Sequence, residues 1–246
     1  MKRSVAPEMS RTVRAVTDDA PRTMSEMIYW RLRSDIVWGI LEPGAPLRSD
    51  ELREAYKVGI SPLREALSRL AVERLVTTIG QRGFRVAPIR AADVVDVMET
   101  RLIIERAALG RSIEEGGLEW ETGVVASLHA LSRVSIPQTP GAGAENWARL
   151  HKAFHMALLS ACRSEWQMNL AELLFDQAER FRIVRATKVP TPKLMRDTME
   201  EHRTIVDAVL ARDVAKALAA LEAHYRSTTD QVLVDLGNGR EAPDDR

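Results

Sequence analysis

The chain has 246 residues, of which 45% are hydrophobic and 28% charged, and its 35 basic and 35 acidic residues leave no formal net charge. This length and composition predict a packed soluble protein with two domains. No run of about 18 apolar residues indicates a membrane span, and the polar first residues lack the apolar segment of a secretory signal. The single cysteine, Cys162, excludes an internal disulfide framework and fits a buried residue in a reducing cytoplasm.

The charge is distributed unevenly along the chain. Residues 1–87 contain 15 lysines and arginines against 11 aspartates and glutamates, whereas residues 88–246 contain 20 against 24. A basic N-terminal part followed by an acidic C-terminal part is typical of a protein that binds nucleic acid through one of its halves.

Residues 1–23 are polar and unpatterned, and they predict a disordered tail. From Met24 onward, apolar residues recur at helical spacing. They are Met24, Ile28, Leu32, Ile36 and Ile40. We expect this helix to end at Glu42-Pro43-Gly44 and to pack behind the elements that follow.

The stretch from Leu47 to Val86 predicts two short helices joined by a tight turn. Ser49 is the expected N-cap of the first helix, and Gly59 is expected to take the left-handed conformation in the turn. Ser61 would cap the second helix, with Pro62 at its first position. The expected buried face of the second helix consists of Leu63, Ala66, Leu67 and Leu70.

The pattern after Leu75 changes to a period of two, which predicts a hairpin over residues 76–86. Arg82 lies at its tip, beside Gly83, where its side chain can reach a groove of DNA. Together these elements predict a helix-turn-helix with a wing, although an ordinary helix pair with a hairpin gives a similar pattern. The N-terminal end of a recognition helix is where DNA is contacted.

Several motifs here resemble the GntR family of bacterial regulators, over about residues 24–87. The motifs are Gly39-Ile40-Leu41-Glu42-Pro43-Gly44, Leu47, Ser61-Pro62-Leu63-Arg64-Glu65-Ala66-Leu67, Arg82-Gly83 and Val86. The resemblance implies that Arg64 and the wing residue Arg82 contact operator DNA. Many members have an arginine at the position of Ile60, and some are basic at Asp50. The implied DNA-binding set is therefore Arg48, Ser61, Pro62, Arg64, Arg82 and Gly83.

After a short linker, 88–91, the remaining pattern is helical and predicts an antiparallel bundle over 92–236, followed by a frayed tail, 237–246. Six helices are expected, near 92–115, 118–133, 144–162, 165–186, 192–211 and 213–236. Thr191 would cap the fifth helix. The inner side of the first is expected to include Val94, Val97, Met98, Leu102, Ile103 and Leu109. The fold class is thus mostly α, with a winged helix-turn-helix domain over 24–87.

Four of the five histidines form a pattern within this bundle. His151 and His155 are four residues apart on one helix, so both rings can reach one ion. His202 and His224 lie on the last two helices, which are expected to be antiparallel neighbours. Imidazole suits several divalent transition metals; we expect zinc, with nickel as the alternative. Structural histidines are the competing interpretation, and His129 is assigned to that class.

The helical half, over about residues 92–235, resembles the FCD ligand-binding domain of FadR-type GntR regulators. The motifs are Arg101 with Glu105, Phe154-His155 with Leu158, Glu201-His202 with Ile205, and His224. In that family an aspartate and three histidines hold a metal, and this chain has His151 at the aspartate position. The resemblance implies a metal site of His151, His155, His202 and His224, which keeps four ligands and removes one negative charge.

In the FCD family a small carboxylate commonly fills the open positions of the metal. Arg101 would then bind the carboxylate as a fork, although an intrahelical pair with Glu105 competes with this role. Arg180 and Arg182 are further candidates for the far end of a dicarboxylate, and a solvated face explains them equally well.

These features predict a cytoplasmic transcription regulator, a repressor, that forms a homodimer on a palindromic double-stranded operator. A small carboxylate bound at the metal would control its DNA affinity. The alternatives are a regulator for which the metal itself is the signal, and a four-histidine metalloenzyme. We predict no enzyme activity, because Glu201 lies about 100° around the helix from His202 and is expected to point away. No other general base is apparent.

Overall fold

The computed structural model describes residues 23–80, 83–135, 142–188 and 197–238. Over these ranges the chain is mostly helical with one three-stranded sheet, and it divides into two compact units, one ending at Pro88 and the other beginning at Ile89. The predicted fold class is confirmed. None of the helices in these ranges combines the length and the apolar character that spanning a bilayer requires.

The first unit consists, as far as it is described, of three helices and three short strands. They are α1 (Met24–Val37), β1 (Pro46–Leu47), α2 (Ser49–Tyr56), α3 (Ile60–Val72), β2 (Val76–Ile79) and β3 (Gly83–Val86).

Helix α1 begins after Thr23, whose hydroxyl accepts a hydrogen bond from the backbone N–H of Glu26 at 3.1 Å. Its expected apolar face is largely correct, since Ile28, Leu32 and Ile36 are fully buried. The predicted end at residues 42–44 is wrong. The helix ends at Val37, because Gly39 turns the chain with a left-handed backbone (φ 70°), and Ile40 therefore falls outside the helix.

The turn between α2 and α3 differs from the prediction by one or two residues. Lys57, and not Gly59, has the left-handed backbone (φ 55°), while Gly59 is extended and precedes the first residue of α3. Ser61 and Pro62 consequently lie within the first turn of α3, and Ser49 is already helical rather than a cap. The four residues predicted to form the inner face of α3 are all fully buried.

The wing is the predicted antiparallel hairpin of β2 and β3, with Thr77 opposite Arg85 and Ile79 opposite Gly83. The sequence pattern missed β1, which pairs antiparallel with the other side of β3 and places β3 in the centre of the sheet. Arg82, at the expected tip, lies outside the described residues.

The second unit contains, in its described ranges, the six expected helices. They are α4 (Ala91–Glu115), α5 (Leu118–Ser132), α6 (Ala142–Leu159), α7 (Glu165–Lys188), α8 (Thr198–Leu210) and α9 (Val214–Asn238). Helix α4 packs against α6, α7 and α9, and α9 packs also against α7 and α8. This arrangement brings side chains of α4, α6, α7, α8 and α9 towards one interior.

Two details of the bundle correct the sequence prediction. Ile103 is 72% exposed and lies off the inner side of α4, whereas Leu102 and Leu109 are buried. Helix α8 begins at Thr198, because Asp197 is non-helical and its carboxylate accepts a hydrogen bond from the backbone N–H of Glu200 at 3.0 Å. The predicted cap, Thr191, lies outside the described residues. Cys162 is buried, as expected.

Candidate functional site

Four buried histidines meet in the interior of the second unit. His151 and His155 come from α6, His202 from α8 and His224 from α9. Each offers one ring nitrogen to the interior, and these four nitrogens all lie within 4.8 Å of one another. The Nε2 atoms of His151 and His155 are 3.1 Å apart. Two nitrogens bound side by side to one ion, each at about 2.1 Å, lie about 3 Å apart. The donor set and its spacing therefore fit a divalent transition metal.

Three of these imidazoles contact a second polar group through Nδ1. Glu201 lies 2.7 Å from Nδ1 of His224, and Glu179 lies 3.3 Å from Nδ1 of His151. The Tyr225 hydroxyl lies 3.3 Å from Nδ1 of His155. The Nδ1 contacts of His224 and His155 are hydrogen bonds, and an Nδ1–H engaged in this way leaves Nε2 as the ligand atom.

The contact of Glu201 corrects the expectation that its side chain points away. The angle of about 100° from His202 holds only around α8 itself. Glu201 instead reaches His224 on α9, 23 residues further along the chain. Sequence spacing within one helix carries no signal for such a contact, because the packing of α8 against α9 decides it.

Both imidazoles of α6 are held in the neutral form, which metal binding requires. Burial lowers the pKa of His151 to about 4, although the neighbouring Glu179 opposes this shift. Burial, together with the other three histidines, lowers the pKa of His155 well below its usual value.

Aromatic rings surround the cluster and separate it from water. The ring centres of Phe154 and His202 are 4.7 Å apart, and Phe175 lies 5.4 Å from both His151 and His155. Phe154 and Phe175 are almost completely buried. A low-dielectric wall of this kind strengthens any electrostatic contact made inside it.

Arg101 forms the intrahelical pair that was its alternative interpretation. Its Nε lies 2.7 Å from Glu105, and its guanidinium lies 4.0 Å from the centre of the Tyr225 ring. The Tyr225 hydroxyl also donates to Glu105. Burial opposes the charge on Arg101, but Glu105 overcomes this effect and raises the pKa of the guanidinium. Arg101 is thus a buried permanent cation, linked to His155 through Tyr225.

The two other candidate arginines lie in different environments. Arg182 pairs with Glu179, with Nε 3.0 Å from the carboxylate, and its guanidinium lies 4.1 Å from the centre of the Trp147 ring. Arg180 is 1% exposed, and burial lowers its pKa to about 10. Neither side chain lies on the solvated face that was the competing interpretation.

Three of the six expected DNA-binding residues lie at the N-terminal end of α3. Ser61 and Arg64 are exposed on its first turns, next to the half-buried Pro62. Arg48 is also exposed and pairs with Glu51 at 3.1 Å. Gly83 begins β3. His129 is exposed near the end of α5 and does not belong to the histidine cluster.

Comparison with known proteins assigns both units. The model of the bacterial regulatory proteins of the gntR family matches residues 24–86, and the model of the FCD domain matches residues 96–227.

Two relatives extend these matches over most of the chain. The HTH-type transcriptional repressor GlaR of Escherichia coli (strain K12) is 36% identical over 197 residues, which are 80% of this chain and 90% of that protein. The HTH-type transcriptional regulator BphR of Paraburkholderia xenovorans (strain LB400) is 37% identical over 213 residues, 86% of each chain.

Solved structures agree on the fold. The E. coli McbR/YncC structure has a TM-score of 0.71 at 17% identity, covering 87% of this chain and 99% of that one. A GntR regulator from Rhodococcus sp. RHA1 has a TM-score of 0.68 at 22% identity, covering 88% and 99%. The family and its named members regulate transcription, which confirms the prediction against an enzyme. The chain belongs to the GntR family of DNA-binding bacterial transcription regulators and carries an FCD domain after its winged helix-turn-helix.

Proposed function

We propose that this regulator is a repressor whose operator affinity is controlled by a small organic acid bound at a metal centre in the FCD domain. The observation that carries this proposal is the buried cluster of four histidines. The relative GlaR is named a transcriptional repressor, which supports repression over activation.

The metal would be held by one ring nitrogen each of His151, His155, His202 and His224, and zinc is the proposed ion, with nickel as the alternative. Imidazole nitrogens favour these ions over magnesium or calcium, which prefer oxygen. Four protein ligands leave positions open in a five- or six-coordinate ion, and such an ion would supply a Lewis-acidic site for a carboxylate oxygen.

The charge around the cluster favours an anionic ligand. Among the described residues, three carboxylates and two guanidiniums contact the imidazoles directly or through one side chain. They are Glu105, Glu179, Glu201, Arg101 and Arg182. A divalent ion held by neutral imidazoles would bring two positive charges that its protein ligands do not offset. Because burying an uncompensated charge is costly, a carboxylate is the ligand class that balances the site.

Arg101 is the proposed partner of that carboxylate. It is buried beside the cluster, and Glu105 and the Tyr225 ring fix its guanidinium. Glu105 bonds mainly to Nε and lies 3.5 Å from one terminal nitrogen, so donors remain for a second acceptor.

Operator binding is proposed to require a homodimer that presents two winged domains to a palindromic site, with Ser61, Pro62, Arg64, Arg48 and the wing contacting DNA. The acid acts only through different affinities for the DNA-competent and DNA-incompetent states.

Thermal unfolding with a panel of mono- and dicarboxylates, on zinc-loaded and metal-stripped protein, tests the effector site. An acid at 100 times its dissociation constant should stabilise the loaded protein by about 2.7 kcal/mol and leave the stripped protein unchanged. The proposal is wrong if stripping changes nothing and no acid shifts the curve. If operator binding follows metal occupancy without any acid, the metal itself is the signal.

A further inference from the structure

We propose that Glu179 and Glu201 are positioning residues of the metal centre: Glu201 fixes the ligand tautomer of His224, Glu179 orients the ring of His151, and both supply the negative charge that the four neutral ligands lack. This inference rests on the proposed metal centre and assigns a role to two residues outside the ligand set.

The contact between Glu201 and His224 has the geometry that such a role requires. The carboxylate oxygen lies 2.7 Å from Nδ1, a normal distance for a charge-assisted hydrogen bond. His224 is 4% exposed on its side chain and Glu201 is 27% exposed, so the carboxylate lies at the edge of the cluster. Nδ1–H therefore donates to Glu201, and Nε2 keeps its lone pair for a metal.

Glu179, on α7, contacts His151. Its carboxylate is 3.3 Å from Nδ1 of His151 and is held in place by Arg182, which itself lies over the Trp147 ring. The ion pair with Arg182 therefore already holds the Glu179 carboxylate beside His151 before any metal binds.

The chemistry of the four ligands explains why such carboxylates are needed. Neutral imidazoles bring no charge to offset a divalent ion, and the rings of Phe154 and Phe175 shield part of the cluster from water. A carboxylate behind a ligating histidine raises the basicity of that ligand and orients its ring. Glu179 on α7 acts on His151, and Glu201 on α8 acts on His224.

Zinc affinity of the full-length protein tests the inference, measured by competition with a chromophoric chelator. Glu179→Gln and Glu201→Gln remove the charge with little change in shape, and each should weaken zinc binding by about 10- to 100-fold. Glu200→Gln is the matched control: it removes the neighbouring carboxylate, which pairs with the exposed Arg203 at 3.2 Å, and should leave zinc affinity unchanged.

Two further measurements separate a positioning role from a structural one. The metal-free unfolding temperature of Glu201→Gln should match that of the wild type, because its carboxylate is partly exposed. Nitrogen NMR of the imidazoles should show Nδ1–H at His224 in the wild type and a mixture of tautomers in Glu201→Gln.

The outcomes distinguish this inference from the metal centre itself. If the wild type binds neither zinc nor nickel, the metal centre is wrong and this inference with it. If the wild type binds zinc and both glutamine variants bind it within twofold of the wild type, the inference is overturned while the centre stands. If Glu179→Gln does not fold, Glu201→Gln alone decides.

Discussion

Lys57 holds a left-handed backbone that most side chains avoid, in the turn that orients the recognition helix. This conformation costs roughly 1–2 kcal/mol in a residue with a Cβ atom. Gly59 has an ordinary extended backbone, and a Cβ there would lie 3.7 Å from the Pro62 side chain, a normal contact.

We predict that Lys57→Gly raises the stability of the winged domain by up to about 1 kcal/mol, because glycine adopts this backbone without strain. Gly59→Ser should be neutral or slightly stabilising, since serine is a better helix cap. Gly44→Ala is the control and should destabilise by about 1–2 kcal/mol, because Gly44 has φ 77°. Urea unfolding of the three variants measures these effects, and a large loss for Gly59→Ser would contradict them.

His151 is the ligand that replaces a carboxylate in the proposed metal set. We predict that His151→Ala lowers zinc affinity at least about tenfold, because one of four nitrogens is lost. It should also reduce the stabilisation that zinc gives in thermal unfolding, by about 1.4 kcal/mol for each tenfold loss of affinity. His129→Ala, at an exposed position on α5, is the matched control and should behave as wild type. Equal zinc affinity in the two variants would remove His151 from the site.

At the scale of elements, the junction of α4 and α5 depends on one glycine. A Cβ at Gly116 would lie 2.2 Å from the Trp120 ring and 2.6 Å from the backbone oxygen of Ser112. Trp120 is buried, and its indole N–H donates to the backbone oxygen of Ala157 at 2.9 Å, which ties α5 to α6. The next residue, Gly117, has open space at the corresponding position.

We predict that Gly116→Ala destabilises the FCD domain by about 1–3 kcal/mol, because the Trp120 ring must move from its packed position. Gly117→Ala carries the same chemical change without the clash and should cost less, about 0.5–1 kcal/mol, because Gly117 is the N-cap of α5 and alanine is a poorer cap than glycine. Thermal unfolding of both variants provides the comparison. Similar melting temperatures for the two would show that the tryptophan adapts.

At the scale of the whole molecule, the two units are proposed to carry separate tasks. The family models match the winged domain and the FCD domain as distinct segments, and each unit has its own buried core. A change confined to the DNA-facing end of α3 should therefore leave the histidine cluster unaffected.

We predict that Arg64→Ala weakens operator binding at least about tenfold, because an arginine contact to a base or phosphate at a recognition helix is lost. Zinc affinity and the response to the acid should be unchanged. Arg149→Ala removes an equal charge from an exposed position of α6 and should keep full operator binding. Gel-shift titration and zinc competition on both variants measure this, and loss of both activities in Arg64→Ala would argue against separate modules.

The sequence by itself determined the features that depend on neighbours along the chain. The spacing of Leu63, Ala66, Leu67 and Leu70 predicted the buried face of α3, and alternation after Leu75 predicted the hairpin, because helical and strand periods are local. The pair His151 and His155 was visible for the same reason, and the family motifs supplied His202 and His224.

Only the tertiary structure decided the contacts that join distant segments. Strand β1 is two residues long, too short to show a period, and forms only by pairing with β3. The hydrogen bond that His224 donates to Glu201 depends on how helices pack. The same holds for the contacts that link Trp147 through Arg182 and Glu179 to His151. A periodic pattern predicts which face of a helix is buried but not which helix packs against that face. The groups that surround the four histidines are decided by which helices pack together.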